Sequence, residues 1–395
     1  GKSKLLNYNY ICIYYINNLD ERRTKYASVI LYIFGMVAVM LTFCGNLVVI
    51  ISISHFKQLH TPTNILVLSL AVADFLVGVI IMPFMVIQSV ETCWYFGEKV
   101  CYIYTCFLTT LTTVSVFNLV LIAIDRYFAI CDPLLYSTKI TVRITCIAVL
   151  FIWVLTFLYA CAEVFSGGNT EGDLELDPCP GDCLFSLNST WSFVDSICGF
   201  IFPVLVMAIL YTKIFFVAKR HAKAISMQHM SQESKSKGSK SKKSEKKAAK
   251  ILGIVMAVFL FCLSPVYIYM IVTLFINVRQ AKAISMQQNS QNNKYKSNKS
   301  KKSERKAAKT LGIVMAVFLF CLSPIYVFTI ITLFTNVTLP SAVSCTLIWF
   351  IYLNSSMNPI MYALFYPWFQ KSFKLIVTLQ ICRNGSSLTK LMPEY

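Results

Sequence analysis

The chain has 395 residues, 56% of them apolar and only 14% charged, with a mean hydropathy of +0.63. A water-soluble fold has no way to hide that much apolar surface, so the composition sets aside a soluble enzyme or carrier and indicates an integral membrane protein. The formal charge of +18 is concentrated in Lys/Ser tracts between apolar spans, without interleaved aromatics, which argues against nucleic-acid binding.

Residues 1–26 read as an N-terminal extracellular segment without a cleavable signal peptide. Eight apolar spans follow, at 27–54, 64–90, 101–124, 141–162, 191–218, 252–277, 311–336 and 342–365. Each is long enough to cross a bilayer as a helix. They are continuous and do not alternate apolar with polar, so helices are expected rather than barrel strands. The stretch 163–182 holds Glu163, Glu171, Asp173, Glu175, Asp177 and Asp182 and no Lys or Arg, and reads as an extracellular loop. The basic runs in 213–250 and 279–309 read as cytoplasmic. Residues 366–395 form a juxtamembrane helix and cytoplasmic tail, in which Cys382 is a candidate for lipidation. Asn188-Ser189-Thr190 and Asn336-Val337-Thr338 are glycosylation sequons close to helix ends.

Several short motifs recur inside these spans. The first carries Gly45-Asn46, and the second Leu70-Ala71-Val72-Ala73-Asp74, a carboxylate deep in an apolar segment. The third closes on Ile124-Asp125-Arg126-Tyr127. The fourth has Trp153, the fifth Pro203, and the last reads Asn354-Ser355-Ser356-Met357-Asn358-Pro359-Ile360-Met361-Tyr362. Ionisable groups at such depth are expensive unless paired or functional. In this order the motifs resemble the rhodopsin-like G-protein-coupled receptors, over residues 27–374. The run 354–369, NSSMNPIMYALFYPWF, fits the pattern NSxxNPxxYxxxYxWF of the trace amine-associated receptors, and HTPTNILVLSLAVADFLVG and SVETCWYFG are similar to that family too.

The resemblance implies an all-α, polytopic membrane protein: a seven-transmembrane helix bundle at the plasma membrane, not an enzyme, in contact with membrane lipids. It implies that Arg126 is held by Asp125 and by Glu304, beside Tyr127, and that Pro324, Asn358, Pro359 and Tyr362 belong to the activation machinery. No cofactor is expected beyond an allosteric sodium ion, held at Asp74 with Ser115, Asn354, Ser355 and Asn358. Cys101 is expected to bridge to Cys183, and Cys12 to Cys179, which would tie the acidic loop over the pocket.

The expected partners are a small amine and a heterotrimeric G protein, of the stimulatory type by analogy. Most aminergic receptors place an Asp 18 residues before the Arg of the Asp-Arg-Tyr motif, and here that residue is Leu108. A buried ammonium there would lack a partner. Asp195, eight residues before Pro203, offers a carboxylate from the opposite wall, as in fish-type members that lack the third-helix Asp. Tyr326, Trp349 and Tyr352 are candidate aromatic walls, suited to an alkylammonium by cation–π contact, with Thr109 and Thr112 beside Leu108. Leu322 replaces the Trp usual before the sixth-helix proline. A retinal protein is excluded, because no Lys lies between Thr310 and Gln370 to form a Schiff base. A receptor for a non-amine ligand, and a non-signalling duplicated product, remain as alternatives.

Residues 222–278 align with 281–337 at a constant offset of 59, with 42 of 57 positions identical. The repeated unit is one basic loop plus one helix. If both copies crossed the membrane, the second basic loop would lie outside, against the positive-inside bias. The second copy connects directly to the last span and is the better sixth helix, so 222–280 reads as an extra copy. Amplifying and sequencing the mRNA over the region encoding residues 211–340 is expected to give a product lacking one 59-residue unit. A full-length product would show that eight spans are translated.

Overall fold

The computed structural model describes residues 21–90, 94, 96–167, 183, 189–214, 217, 321–327, 341–383 and 385–391. Cys12, Cys179, Asn188, Glu304 and the repeat unit 222–280 lie outside the described residues. Among the described residues the fold is helical and has no strand.

Helix α1 spans Glu21–His55, so the expected boundary at residue 26 falls inside a helix. The chain then turns through extended Phe56 and a 3-10 turn, Lys57–Leu59, with Phe56 and Leu59 fully buried. Helix α2, Pro62–Val90, starts at Thr61, whose hydroxyl accepts from the Asn64 N–H, with Pro62 at the first helical position. A π turn at Val77–Ile81 interrupts α2. Pro83 follows it and has no N–H to give the ladder, and a local widening is a usual response. Gly78 sits in that turn, where a Cβ would meet Phe43 N of α1 at 3.2 Å, so the missing side chain permits close approach of the two helices.

Helix α3, Glu98–Cys131, is central. It runs past the apolar window 101–124 at both ends, because the window stops at charged Glu98, Lys99, Asp125 and Arg126 while the backbone continues. Asp132 caps the short helix Pro133–Lys139 by accepting from the Leu135 N–H at 3.2 Å. Helix α4 spans Val142–Gly167. It continues beyond the expected end at residue 162, so Glu163 belongs to a helix and not to the acidic loop. Helix α5, Thr190–Ile214, carries a second π turn, Ser196–Ile201, again just ahead of a proline, Pro203. Of α6, residues 321–327 are described. Helix α7, Ser341–Phe365, contains Pro359, and α8, Pro367–Val377, turns off it.

Five of these helices, α1 to α5, are long and apolar enough to cross a membrane. Their outward faces carry exposed apolar side chains, such as Ile30 and Ile33 of α1, Leu150 and Phe151 of α4, and Leu205 and Ile209 of α5. A bilayer-facing surface needs that pattern, because lipid takes the place of a second protein layer.

Helix α3 packs against α2 and α4, and α1 against α2 and α7. One core cluster joins Val49, Phe56, Leu70, Leu119, Leu322, Tyr362 and Phe369, while a second gathers Ile81, Trp94, Tyr104, Cys183 and Tyr352. Polar pairs fix the register between them. The Trp153 indole N–H donates to Ser69 Oγ at 3.0 Å, joining α4 to α2. Ser52 donates to Ser372 at 2.9 Å, joining α1 to α8. Gly45 of α1 lies so close to Pro359 of α7 that a Cβ would meet Pro359 Cβ at 2.7 Å.

Candidate functional site

The polar groups of the bundle fall into three levels. At the level of the Asp-Arg-Tyr motif, Asp125 is 4% exposed and Arg126 is partly buried, and the two form an ion pair. The Arg126 Nε–H donates to Asp125 Oδ2 at 2.9 Å. Thr63 of α2 donates to the same oxygen at 2.8 Å, and Arg126 in turn donates to Thr63 Oγ1. Tyr136 of the short helix donates to Asp125 Oδ1 at 3.0 Å. Burial pushes the Tyr136 hydroxyl above its ordinary pKa, so the phenol keeps the proton it donates. Lys213 of α5 stands over the Tyr127 ring at 5.8 Å. Tyr362 meets Tyr366 edge-on at 5.7 Å, and Tyr366 lies within electrostatic reach of Arg126. The motif is thus held by α2, the short helix and α3 itself. Neither Thr63 nor Tyr136 carries a sequence signal that distinguishes it from any helix-end hydroxyl.

In the middle of the bundle, Asp74 is fully buried. Ser115 donates to Asp74 Oδ1 at 3.3 Å, the Asn358 amide donates to Oδ2 at 2.7 Å, and the Ser355 side chain stands beside them. Asn46 donates to the Ser355 carbonyl at 3.1 Å and keeps a buried Oδ1 with no partner. Asn354 is buried in the same stretch but forms no hydrogen bond to Asp74. The donor set is one carboxylate, two hydroxyls and amide oxygens. All are hard oxygen ligands, and that chemistry fits a small hard cation.

The third level lies toward the end of the bundle that carries the Cys101–Cys183 disulfide, with Cα atoms 5.4 Å apart. Trp94 is buried beneath it and donates to the Gly97 carbonyl at 2.9 Å. Leu108, Trp349 and Tyr352 pack into this same cluster. Tyr352 sits against Tyr104, and Trp349 donates to Ser89 at 3.2 Å and meets Phe34 edge-on at 5.8 Å. Thr112 turns its hydroxyl back to the Leu108 carbonyl at 2.7 Å, as a helical threonine does in apolar surroundings.

Asp195 lies on a different wall. It ends the first stretch of α5, and Gly199 one turn on leaves it room, since a Cβ there would meet Asp195 Oδ1 at 3.0 Å and Tyr326 Oη at 3.3 Å. Tyr326 stacks on Phe200 with ring centroids 4.7 Å apart. The structure therefore places Asp195 and Tyr326 together, while Leu108, Trp349 and Tyr352 form a separate cluster. Thr109 of α3 points to Glu163 of α4, which is 2% exposed and within electrostatic reach of Asp195. Sequence reasoning missed Glu163, because its position beside an acidic stretch gives no sign that the helix continues.

A family model described as 7 transmembrane receptor (rhodopsin family) matches residues 45–287 and 266–362. Trace amine-associated receptor 13c of Danio rerio is 37% identical over 381 residues, covering 95% of this chain and 94% of its own. Trace amine-associated receptor 7a of Rattus norvegicus is 38% identical over 369 residues, covering 92% and 87%. Trace amine-associated receptor 9 of Mus musculus is 39% identical over 369 residues, covering 92% and 89%. The chain belongs to the trace amine-associated receptors. It is therefore a G-protein-coupled receptor, a multi-pass protein of the plasma membrane and not an enzyme, and its partners are an extracellular ligand and a G protein.

In this receptor Thr63 bonds both members of the Asp125–Arg126 pair. Thr63→Val is expected to cost about 1–2 kcal/mol, the range for removing a hydrogen bond to a buried charge. The check is a thermal unfolding midpoint in detergent, which should fall, with raised ligand-free G-protein activation in membranes as the functional counterpart. An unchanged midpoint and unchanged basal signal would contradict this reading of Thr63.

Proposed function

We propose that the receptor senses small amines and that Asp195 anchors the ligand ammonium. The observation that carries this is a carboxylate on an α5 wall, left space by Gly199 and flanked by Tyr326, while position 108 of α3 is occupied by apolar Leu108 in a separate cluster. A carboxylate inside an apolar span is expensive, and a bound cation offsets that cost. The Tyr326 ring and hydroxyl suit the flank of an alkylammonium. With the anchor on α5 and not on α3, the amine lies in the reverse orientation across the cavity. Trp349 and Tyr352 then line the apolar end, with Leu108 and Thr112, while Thr109 stands on the Glu163 side.

Downstream, Asp125, Arg126 and Tyr127 mark the G-protein face. Loss of the contacts around Arg126 frees the helix ends to separate, as in other interface-repacking switches. Coupling to a stimulatory G protein is part of the proposal, as is an ion pair of Arg126 with Glu304. The proline kink at Pro324 is kept, while Leu322, buried in the core beneath, takes the place of a bulkier ring. We further read 222–280 as a surplus copy of the loop and sixth helix; the two family-model matches overlap over 266–287. Asp74, Ser115, Ser355 and Asn358, with Asn354 adjacent, would hold a sodium ion, which supplies charge balance for a buried carboxylate.

Two measurements test this. Asp195→Ala is expected to weaken cyclic AMP responses to amines by about 100-fold or more, the scale for stranding a buried cation. Potency within a few-fold of the parent, at equal surface expression, would remove Asp195 from the site. Raising sodium is expected to lower agonist potency in the parent and to have no effect in Asp74→Asn. A sodium effect that persists in Asp74→Asn would place the ion elsewhere.

A further inference from the structure

Asp195 does not stand alone on its wall. Glu163, four residues beyond Tyr159 on α4, is 2% exposed, and its Oε2 has no hydrogen-bond partner. The buried Tyr159 hydroxyl has the Asp195 carboxyl as its acceptor and no donor to its own oxygen. Both lie beside Asp195: Glu163 interacts electrostatically with it, and Tyr159 with both carboxyls. The Tyr159 ring meets Trp191 of α5 edge-on at 5.8 Å, which holds the two helices together at this level. Thr109 supports the Glu163 carboxyl from α3. A buried carboxylate oxygen without a partner, as Glu163 Oε2 is, is uncommon, since buried polar groups are nearly always paired. An N–H donor is what both the Glu163 carboxylate and the Tyr159 oxygen lack.

We propose that Glu163 is a second ammonium acceptor, and that Asp195, Glu163 and Tyr159 together seat a primary ammonium. This rests on the reading of Asp195 as the amine anchor and adds the class of amine. A primary ammonium carries three N–H donors, one for each acceptor. A tertiary ammonium carries one, so it leaves two acceptors unpaired and presses methyl groups against them. The positive charge neutralises one carboxylate. The other is neutral as the acid, which still accepts through its carbonyl oxygen. Glu163 is thus a specificity residue: it discriminates by counting N–H groups, and polar sites of this kind reject analogues that lack a donor more strongly than apolar pockets do.

The test uses the full-length receptor in cells with a cyclic AMP readout, surface expression measured by an extracellular tag, and n-alkylamines from propylamine to octylamine beside their N,N-dimethyl counterparts. The parent is expected to favour the primary amine of each pair by about tenfold or more, the scale of one or two charge-assisted hydrogen bonds. Glu163→Met removes the acceptor at nearly constant volume. It is expected to lower the potency of primary amines by about tenfold and to leave the dimethyl amines within about threefold, so that the preference disappears. Glu163→Gln keeps a carbonyl acceptor and should retain part of the preference, a partial rescue that a packing role would not give. Asp195→Asn should abolish responses to both series. An unchanged preference in Glu163→Met, or equal loss for both series at normal surface expression, overturns the assignment of Glu163 while leaving that of Asp195 standing. A parent that responds to neither series overturns both.

Discussion

The organising constraint of this receptor is that a charge inside the bilayer must have a partner. Lipid offers no hydrogen bonds, and an ionisable group at depth is tolerated only where protein, ion or ligand supplies them. Each buried carboxylate in the described residues marks a level of the bundle where several helices meet. Asp125 draws in α2 through Thr63 and the short loop helix through Tyr136. Asp74 draws in α3 through Ser115 and α7 through Asn358. Asp195 of α5 and Glu163 of α4 lie within electrostatic reach of each other, where Tyr159 meets Trp191 across the two helices. The apolar surface between these levels is generic packing, while the polar levels specify which helices are neighbours.

The three levels differ in how completely they are satisfied. Asp125 has Arg126 and two hydroxyl donors, a closed arrangement suited to holding one conformation until a partner competes for Arg126. Asp74 has donors on both oxygens, but Asn46 beside it keeps an unpartnered oxygen. At the Asp195 level Glu163 Oε2 is unpaired. Unmet hydrogen bonding in a dry wall is a cost the folded chain carries, and a donor that arrives there recovers it.

Prolines shape the same helices without breaking the bundle. Pro83 and Pro203 each follow a π turn that widens the helix locally, and Pro359 is accommodated by Gly45 across the α1–α7 contact. The turn at Ser196–Ile201 lies between Asp195 and Pro203, so it re-aims the first stretch of α5 relative to the rest of the helix. A regular helix over those residues would present Asp195 at a different angle to α4, since one extra residue per turn rotates everything before it by about 100°.

Much of the architecture was legible in the residues themselves. Long apolar runs read as membrane helices from transfer free energy, and α1 to α5 stand where those runs are. Asp74 and the Asp125–Arg126 pair stood out because charge in such a run is costly, and Asp195 for the same reason. Where each helix ends was less legible, since hydropathy stops at the first charge while the backbone hydrogen bonds continue. That is why Glu163 reads as loop in sequence and is helix in the fold. Nor does residue type tell which aromatic faces which wall: Tyr326 joins Asp195, while Trp349 and Tyr352 turn to Ser89 and Tyr104. Composition and hydropathy by themselves determined a polytopic helical membrane protein with buried charges. Only the tertiary structure decided which of those charges meet, because neighbour identity depends on helix rotation and tilt, and these are set by contacts hundreds of residues apart.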